Sequence, residues 1–451
     1  MLKKRIAFHT LGCKLNFSET STISRQFGAD DYELVDFDQQ ADVYVIHTCS
    51  VTAAAERKCK ASIRQAVKRN PGASVAVIGC AAQANPEMFL KMQGVSWVLG
   101  TQEKFRLGEI VDALNSAGNE PAKPEYHGEF HEETRASDIS KTRTFIPSYS
   151  ANDRTRSFFK VQDGCDYFCT YCSIPFLRGR SRSDTIGNTL KVAHEIAATG
   201  IKEIVLTGVN IGDFGRGNEE KFIQLIRELD KVDGIERIRI SSIEPELLSE
   251  DIISFVAGSN KILPHFHIPL QSGSDKILAA MHRKYLRSVF SARVQLIKKL
   301  MPGACIAADV IVGFPGETDE DFTDSYRFIA ELDISYLHVF TYSERPGTMA
   351  NAMEAAVDEK TRKHRSQELH KLSTEKKMHF YESQQGLLFN VLFESDQEDG
   401  MMFGFTENYI KVTTPFNAEL INRIIAVRLL ERDGDCCRVE LINLKEKSIR
   451  Q

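Results

Sequence analysis

The chain has 451 residues, 42 % of them hydrophobic and 26 % charged, which suffices for two or three domains and at least one sizeable core. A formal net charge of −5 excludes a global electrostatic pull on nucleic acid, so RNA contact would have to rest on local patches. No apolar run reaches the length of a bilayer span, and Ile6 to Phe8 before polar His9 and Thr10 is far short of a secretory signal, so a cytoplasmic protein with reduced thiols and no membrane partner is expected.

In chain order, the first third alternates short apolar runs with helical patterns. Residues 5–9, 43–47 and 74–78 read as buried strands with helices such as 53–68 between them, which predicts a small parallel α/β sheet within residues 1–116. Cys13, Cys49 and Cys80 each follow one of these strands. The carboxyl ends of strands in open α/β sheets face the ligand crevice, so three thiols distant in sequence are predicted to converge on one side. Residues 117–153 turn to Pro, Glu, His, Ser and Asn without apolar periodicity and read as a linker. Six candidate strands then alternate with helical stretches, at 158–162, 203–207, 237–242, 265–270, 306–312 and 336–341. This repetition predicts a complete or partial (β/α)6 barrel within 154–378, with its chemistry at the C-terminal strand ends. The run from Lys360 to Lys377, with Arg362, Lys363, Arg365, Lys371 and Lys376, reads first as a solvated helix face. Beyond it, residues 387–394, 401–405, 409–413 and 425–430 are short strands parted by turn signals such as Glu398-Asp399-Gly400 and Asp433-Gly434-Asp435. They predict a small antiparallel β-barrel over 379–446, of the nucleic-acid-binding sort.

Ten cysteines in a reducing compartment point to metal binding or catalysis before disulfides. Cys165, Cys169 and Cys172 form C-x-x-x-C-x-x-C directly after the first barrel strand, a spacing that lets one loop wrap three corners of an iron–sulfur cubane. One iron is then left for substrate or cofactor. A structural zinc site would ask for a fourth protein ligand, and none stands nearby. Tyr171, just before Cys172, would pack beside an adenine or simply around the cluster. This motif resembles that of the radical S-adenosylmethionine superfamily, in which the open iron chelates the methionine part of the cofactor and reductive cleavage yields methionine and a 5′-deoxyadenosyl radical. Cys13, Cys49 and Cys80 sit among small or turn-forming residues, as in Leu11-Gly12-Cys13 and Ile78-Gly79-Cys80, where glycine admits the backbone close to a bulky cluster. Isolated buried cysteines are the alternative. Cys59, Cys305, Cys436 and Cys437 read as packing residues.

With both triads in view the chain is similar to the methylthiotransferases over nearly its whole length. Three blocks carry the likeness: Thr10-Leu11-Gly12-Cys13-Lys14-Leu15-Asn16 with Cys49 and Cys80, the Cys165 to Cys172 motif, and Gly404-Phe405-Thr406-Glu407-Asn408-Tyr409 of a TRAM-like segment. Branches of that family modify isopentenyl adenosine in tRNA, threonylcarbamoyl adenosine in tRNA, or an aspartate of a ribosomal protein. Thr48-Cys49-Ser50-Val51-Thr52, Arg239-Ile240-Ser241-Ser242-Ile243-Glu244-Pro245 and His338-Val339-Phe340-Thr341-Tyr342-Ser343 followed by Arg345-Pro346-Gly347-Thr348 resemble the threonylcarbamoyl-adenosine branch. The ribosomal-protein branch more usually has Pro-Lys after its first cysteine, absent here. Lys14-Leu15-Asn16 and Ile46-His47-Thr48 depart from the expected Lys-Val-Asn and Ile-Asn-Thr without altering a cluster ligand.

The resemblance implies two [4Fe–4S] clusters, S-adenosylmethionine, a tRNA bearing threonylcarbamoyladenosine near the anticodon, and a flavodoxin- or ferredoxin-like electron donor. The C2 hydrogen of the modified adenosine would be replaced by a methylthio group, with the six cysteines as ligands and not as nucleophiles. Further cofactor contacts are expected at the barrel strand ends: Gly208 and Asn210, Ser242 and Glu244, Gln271 and Ser272, Asp309 and Gly313, besides Tyr171. Arg178 and Arg180 would touch RNA phosphate or form structural salt bridges. Phe403, Phe405 and Tyr409 would offer stacking faces, with the basic helix meeting phosphate, although alternating aromatics also make ordinary barrel core. The competing class is a non-catalytic iron–sulfur or zinc RNA-binding protein.

Overall fold

A computed structural model describes residues 3–49, 53–117, 125–127, 139, 142–151 and 155–442. Most of the expected 117–153 linker and the last residues of the expected 379–446 domain therefore lie outside the described residues. The chain divides into two compact units: Met1–Ala151 with Phe158–Asp166 and Ser173–Arg182, and Asn152–Ser157 with Tyr167–Cys172 and Ser183–Gln451.

The first unit runs β1 (Lys4–Thr10), α1 (Lys14–Ser24), β2 (Tyr32–Val35), β3 (Val43–Thr48), α2 (Ala53–Arg69), β4 (Ser74–Gly79), α3 (Cys80–Ala84), α4 (Pro86–Leu90), β5 (Val95–Leu99), α5 (Leu107–Ala117) and β6 (Glu125–His127). All neighbours in the sheet order β2-β1-β3-β4-β5-β6 are parallel. Because side chains alternate across a strand, β3 sends Tyr44 and Ile46 into one core with Ile63 and Phe89, and Val43 and Val45 into the other with Ile23 and Leu107. Covering both faces explains why β3 and β4 read as unbroken apolar runs. The sequence reading passed over β2, β5 and β6; β2 has only Tyr32 fully buried, and β6 is three residues long. This unit also holds β7 (Ser148–Tyr149), which pairs antiparallel with the last residues of β8 (Arg156–Lys160), then β9 (Gln162–Asp163) and α6 (Ile174–Arg178).

After β10 (Arg182–Ser183) the second unit repeats helix and strand: α7 (Ile186–Ala198), β11 (Glu203–Thr207), α8 (Phe222–Leu229), β12 (Arg237–Ile240), α9 (Glu250–Gly258), β13 (His265–Gln271), α10 (Asp275–Ala280), α11 (Arg287–Leu300), β14 (Cys305–Val312), α12 (Asp319–Glu331), β15 (Tyr336–Thr341) and α13 (Glu359–Ser383). The β11–β12 pair and the β13–β14–β15 sheet are parallel, and single bridges at Ile238↔Ile262 and Ser242↔His267 link β12 to β13. The sequence-derived strands of this region recur within one or two residues of their bounds.

Five further strands, β16 (Leu388–Glu398), β17 (Met401–Phe405), β18 (Lys411–Pro415), β19 (Ile424–Asp433) and β20 (Cys436–Leu441), close on one another in the order β16-β17-β18-β20-β19. The pairing is not wholly antiparallel as expected: β18 and β20 run parallel, with Val412 opposite Cys437. The expected set stopped at 430, whereas the Asp433-Gly434-Asp435 turn joins β19 to β20 as a hairpin. Gly404 is forced by packing, since a Cβ there would lie 2.5 Å from Val391 Cγ1 and 2.7 Å from the Leu392 carbonyl oxygen. Cys437 belongs to the core of this small unit, with Val391, Phe393, Met402 and Val427.

Candidate functional site

Three adjacent parallel strands end in the three thiols of the first unit. Cys13 stands at the N-cap of α1 after β1, Cys49 follows β3, and Cys80 opens α3 directly after β4. Gly12, at φ +107°, lets β1's exit press against Cys49: a Cβ on Gly12 would fall 2.7 Å from Cys49 Cβ and 2.9 Å from its Sγ. Gly79, at φ +98°, does the same beside the His47 ring, where a Cβ would meet Cδ2 at 2.6 Å. Cys49 and Cys80 are buried and Cys13 is exposed, so the group opens outward on one side. Arg178 acts electrostatically on both Cys13 and Cys80, and Lys104 on Cys80.

Behind these thiols lies a fully buried ion network. Glu19 on α1, with no exposure, accepts from Lys104 Nζ at 2.5 Å, from Lys160 Nζ at 3.1 Å and from both terminal nitrogens of Arg178 at 3.1 Å. Asp163 accepts from Arg178 at 3.1 Å and Arg182 at 3.0 Å. Burial tends to raise the Glu19 carboxyl, but Arg178, Lys104 and Lys160 outweigh it and hold it well below the ordinary range. Asp163 is likewise held at about 2, burial opposing and Arg178 and Arg182 prevailing. His47, buried and facing Lys104, is pushed well below its usual value and is neutral at pH 7. Arg178 also donates to Asn16 Oδ1 at 2.9 Å, and Asn16 Nδ2 holds the carbonyls of Leu11 and Thr48, the residues flanking the first two cysteines. Arg178 is 2 % exposed and engaged with Glu19 and Asp163, so of its two expected roles the structural ion pair is the one observed. Arg180 is about half exposed and 3.5 Å from Asp166.

The donor set fits an iron–sulfur cluster on its chemistry. Among the described residues, Lys104, Lys160, Arg178 and Arg182 pair only with the carboxylates of Glu19 and Asp163, four positive charges against two negative, all buried. Such an excess is costly unless an anion stands beside it. Three thiolates on a cubane core supply one.

The Cys165–Cys172 loop follows β9. Cys165 N–H donates to the Gly179 carbonyl at 3.1 Å in the first unit. In the second, Cys172 N–H donates to the Cys169 carbonyl at 3.0 Å, and Thr170 is tied to Ala280 and Met281 by its hydroxyl and its N–H. Tyr171 packs against a cluster of Ile277, Met281, Phe314 and Tyr342. Sequence reasoning missed Arg283, which donates to Cys169 Sγ at 3.2 Å and to Tyr171 Oη at 3.3 Å and pairs with Glu244. Its only sequence signal is a basic turn, His282-Arg283-Lys284, just after helix α10. Burial raises the Glu244 carboxyl to about 7 against the opposing pull of Arg283, so its proton is exchangeable near neutrality.

The other expected contacts occupy strand ends or loops of the second unit. Gly208 and Asn210 follow β11, where Thr207 Oγ1 is buried without a hydrogen-bond partner among the described residues, and Asn210 lies against the Tyr167 phenol. Ser242 bridges to His267, and Ser272 Oγ accepts from Ser274 N–H at 3.2 Å. Gln271 ends β13 at φ +64°. Gly313, at φ +73°, turns its open side toward the stem of Arg362. Asp309 Oδ1 lies 2.6 Å from His267 Nε2, and with His338 these residues place three potential ligand atoms within 4.8 Å of one another on β13, β14 and β15. The sequence reading singled out Asp309 alone of these three.

The expected RNA-facing residues are largely spoken for. Arg362 and Arg365 of α13 are buried, bonded to Glu344 at 2.7 Å and to Glu317 at 2.6 Å, and Lys376 donates to the Ala330 and Leu332 carbonyls. Lys363 and Lys371 remain exposed. Phe405 and Tyr409 stack on each other at 4.8 Å, with Arg156 over Phe405 and Arg239 over Tyr409, so both rings serve packing within the second unit. Phe403 carries Lys411 over its ring at 4.1 Å.

Residues 5–100 match the uncharacterized protein family UPF0004, and residues 159–329 match the radical SAM superfamily. The chain is 39 % identical to the threonylcarbamoyladenosine tRNA methylthiotransferase of Bacillus subtilis (strain 168), over 94 % of each chain. It is 33 % identical to the same enzyme of Thermotoga maritima, over 98 % of this chain and 99 % of that one. A tRNA-2-methylthio-N(6)-dimethylallyladenosine synthase of Syntrophus aciditrophicus is 31 % identical over 91 % of this chain and 86 % of its own length. A radical S-adenosylmethionine methyltransferase from Kitasatospora setae, solved with cobalamin and a [4Fe–4S] cluster, superposes with TM-score 0.55 at 14 % identity over 78 % of this chain and 77 % of its own, a likeness of fold. Full-length identity at this level, together with the two cysteine triads, establishes that the chain belongs to the radical S-adenosylmethionine methylthiotransferases, enzymes that use [4Fe–4S] clusters.

Proposed function

We propose that this enzyme converts N6-threonylcarbamoyladenosine at position 37 of tRNA to its 2-methylthio derivative. The observation that carries the reading is the set of Cys13, Cys49 and Cys80 at three adjacent strand ends, added to a second triad on the Cys165–Cys172 loop. One triad alone suits many radical reactions; two suit a sulfur insertion. Relatives named for threonylcarbamoyladenosine reach 39 % identity, and those named for dimethylallyladenosine reach 32 %, which favours the former substrate.

Cys13, Cys49 and Cys80 would hold the auxiliary cluster and Cys165, Cys169 and Cys172 the other. When bound, the clusters and S-adenosylmethionine supply methyl transfer to sulfur and abstraction of the C2 hydrogen. The chain's own residues bind and orient. Tyr171 offers its ring to the adenine, and Gly208, Asn210, Ser242, Glu244, Gln271, Ser272, Asp309 and Gly313 line the cofactor site from the strand ends of a partial (β/α)6 barrel. Arg283, beside Cys169, supplies a fixed cation for a carboxylate. The domain reading is 1–116 for the auxiliary-cluster domain, 117–153 for a linker, 154–378 for the barrel and 379–446 for a TRAM-like RNA-binding domain. Exposed Lys363 and Lys371, with Phe403, are the remaining RNA contacts to test. A flavodoxin- or ferredoxin-like protein is the expected electron donor and the cytoplasm the expected compartment; no described helix is long and apolar enough to cross a membrane.

The test is nucleoside mass spectrometry of tRNA from cells with and without the gene. Loss of methylthio-threonylcarbamoyladenosine is expected. Unchanged levels of it, with loss of the methylthio-isopentenyl derivative, would move the enzyme to the other branch.

A further inference from the structure

Buried charge in a folded protein is normally balanced. The first unit breaks that rule beside the Cys13, Cys49 and Cys80 thiols. Lys104, Lys160, Arg178 and Arg182 are each 5 % exposed or less, and among the described residues only the carboxylates of Glu19 and Asp163 pair with them. Four minus two leaves a buried excess of two positive charges. Arg178 joins the network to the thiols by contact: it donates to Asn16 Oδ1 at 2.9 Å, and the same oxygen lies 3.8 Å from Cys13 Sγ.

We infer that this cation excess is the counter-charge of the auxiliary cluster and sets its reduction potential, with Lys104 and Arg178 as positioning residues for charge at that site. The inference rests on the reading that Cys13, Cys49 and Cys80 hold a cluster. Three thiolates on a cubane core leave one net negative charge, and one-electron reduction adds another. A buried positive excess therefore favours the reduced form, and burial of the cations strengthens the effect by lowering the local dielectric. What matters in this account is the net charge of the network and not any single hydrogen bond, which makes the idea separable from a purely structural role.

The experiment uses the reconstituted full-length protein, with electron paramagnetic resonance followed against solution potential, the radical-generating cluster being identified by the change S-adenosylmethionine makes to its signal. Lys104→Met lowers the excess from two to one and is expected to reduce the auxiliary cluster's reduced-to-oxidised ratio about tenfold at fixed potential, which is about 59 mV for one electron. Arg178→Lys keeps the charge and is expected to leave the ratio within about threefold of wild type. Lys104→Met combined with Glu19→Gln restores the excess of two, and the potential is expected to return toward wild type even though two hydrogen-bonding partners are gone. Circular dichroism melts identify folded variants, and Arg178→Gln serves in place of Lys104→Met should that protein not fold. An auxiliary-cluster potential unmoved by the charge-removing variants, in protein that holds about eight iron per chain, would overturn the inference alone. Wild type that reconstitutes to only about four iron, all of it lost on Cys165→Ser, would overturn the ligand reading together with it.

Discussion

Replacing Gly12 by alanine tests whether the backbone really presses β1's exit against Cys49. Gly12 lies at φ +107°, which an L side chain adopts at a cost of about 1–3 kcal/mol. The new Cβ would stand 2.7 Å from Cys49 Cβ and 2.9 Å from its Sγ, well inside contact, and relieving an overlap of that kind costs about another 1–3 kcal/mol. The sum is about 2–6 kcal/mol, and for a unit of this size a central value of about 4 lowers the melting midpoint by roughly 8–16 °C. Because Cys49 is a proposed cluster ligand, the loss should also appear in metal content: about four iron lost per chain, with the Cys165–Cys169–Cys172 site still filled. Scanning calorimetry and iron analysis on the anaerobically reconstituted variant read both quantities. Full iron with a wild-type midpoint would refute the packing argument.

Four other outcomes follow from the same geometry. Glu203 is buried and takes Arg237 and Arg239 at 2.8 Å each, so Glu203→Gln should destabilise the second unit by about 3–5 kcal/mol in denaturant unfolding. Asp163 at about 2, against an ordinary 3.8, contributes about 2 kcal/mol that is present above pH 4 and lost as pH falls toward 2; Asp163→Asn should flatten that part of the stability curve, and an unchanged acid limb would refute the assignment. Glu244 runs in the opposite sense, its folded value of about 7 lying above the ordinary 4.5, so the folded protein binds the extra proton and loses stability as pH rises from about 4.5 to 7. S-adenosylmethionine affinity should accordingly show an inflection near pH 7 by calorimetry that Glu244→Gln removes. Arg283→Met, which deprives Cys169 and Tyr171 of their shared donor, should weaken cofactor binding by at least tenfold while leaving the iron content unchanged.

Much of the second unit is readable locally. Strands such as Glu203–Thr207 and Cys305–Val312 stand out because a strand buried along most of its length must be mainly apolar, and helix α8 buries Phe222, Leu225, Ile226 and Leu229 at a 3.6-residue period. Less readable are places where a polar segment is buried. Helix α1, Lys14–Ser24, is composed largely of Asn, Ser, Thr and Glu and would pass for a surface helix, yet Asn16, Ser18, Glu19 and Thr20 all lie inside. Burial of such a helix is possible only because the partners of Glu19 arrive from Lys104, Lys160 and Arg178, 85, 141 and 159 residues away. The basic run of α13 misleads in the same manner, since Glu317 and Glu344 that absorb its arginines lie outside the helix.

The sequence by itself determined the six cysteines, their spacing and the strands that carry them, because ligand identity and a two-residue or 3.6-residue period are local properties. Only the tertiary structure decided that Cys13, Cys49 and Cys80 end neighbouring strands above an uncompensated pair of buried positive charges, and that Arg178 faces inward and not toward RNA. Long-range charge pairing leaves no periodic trace in a chain; it exists only once packing has brought the partners together and removed the water between them.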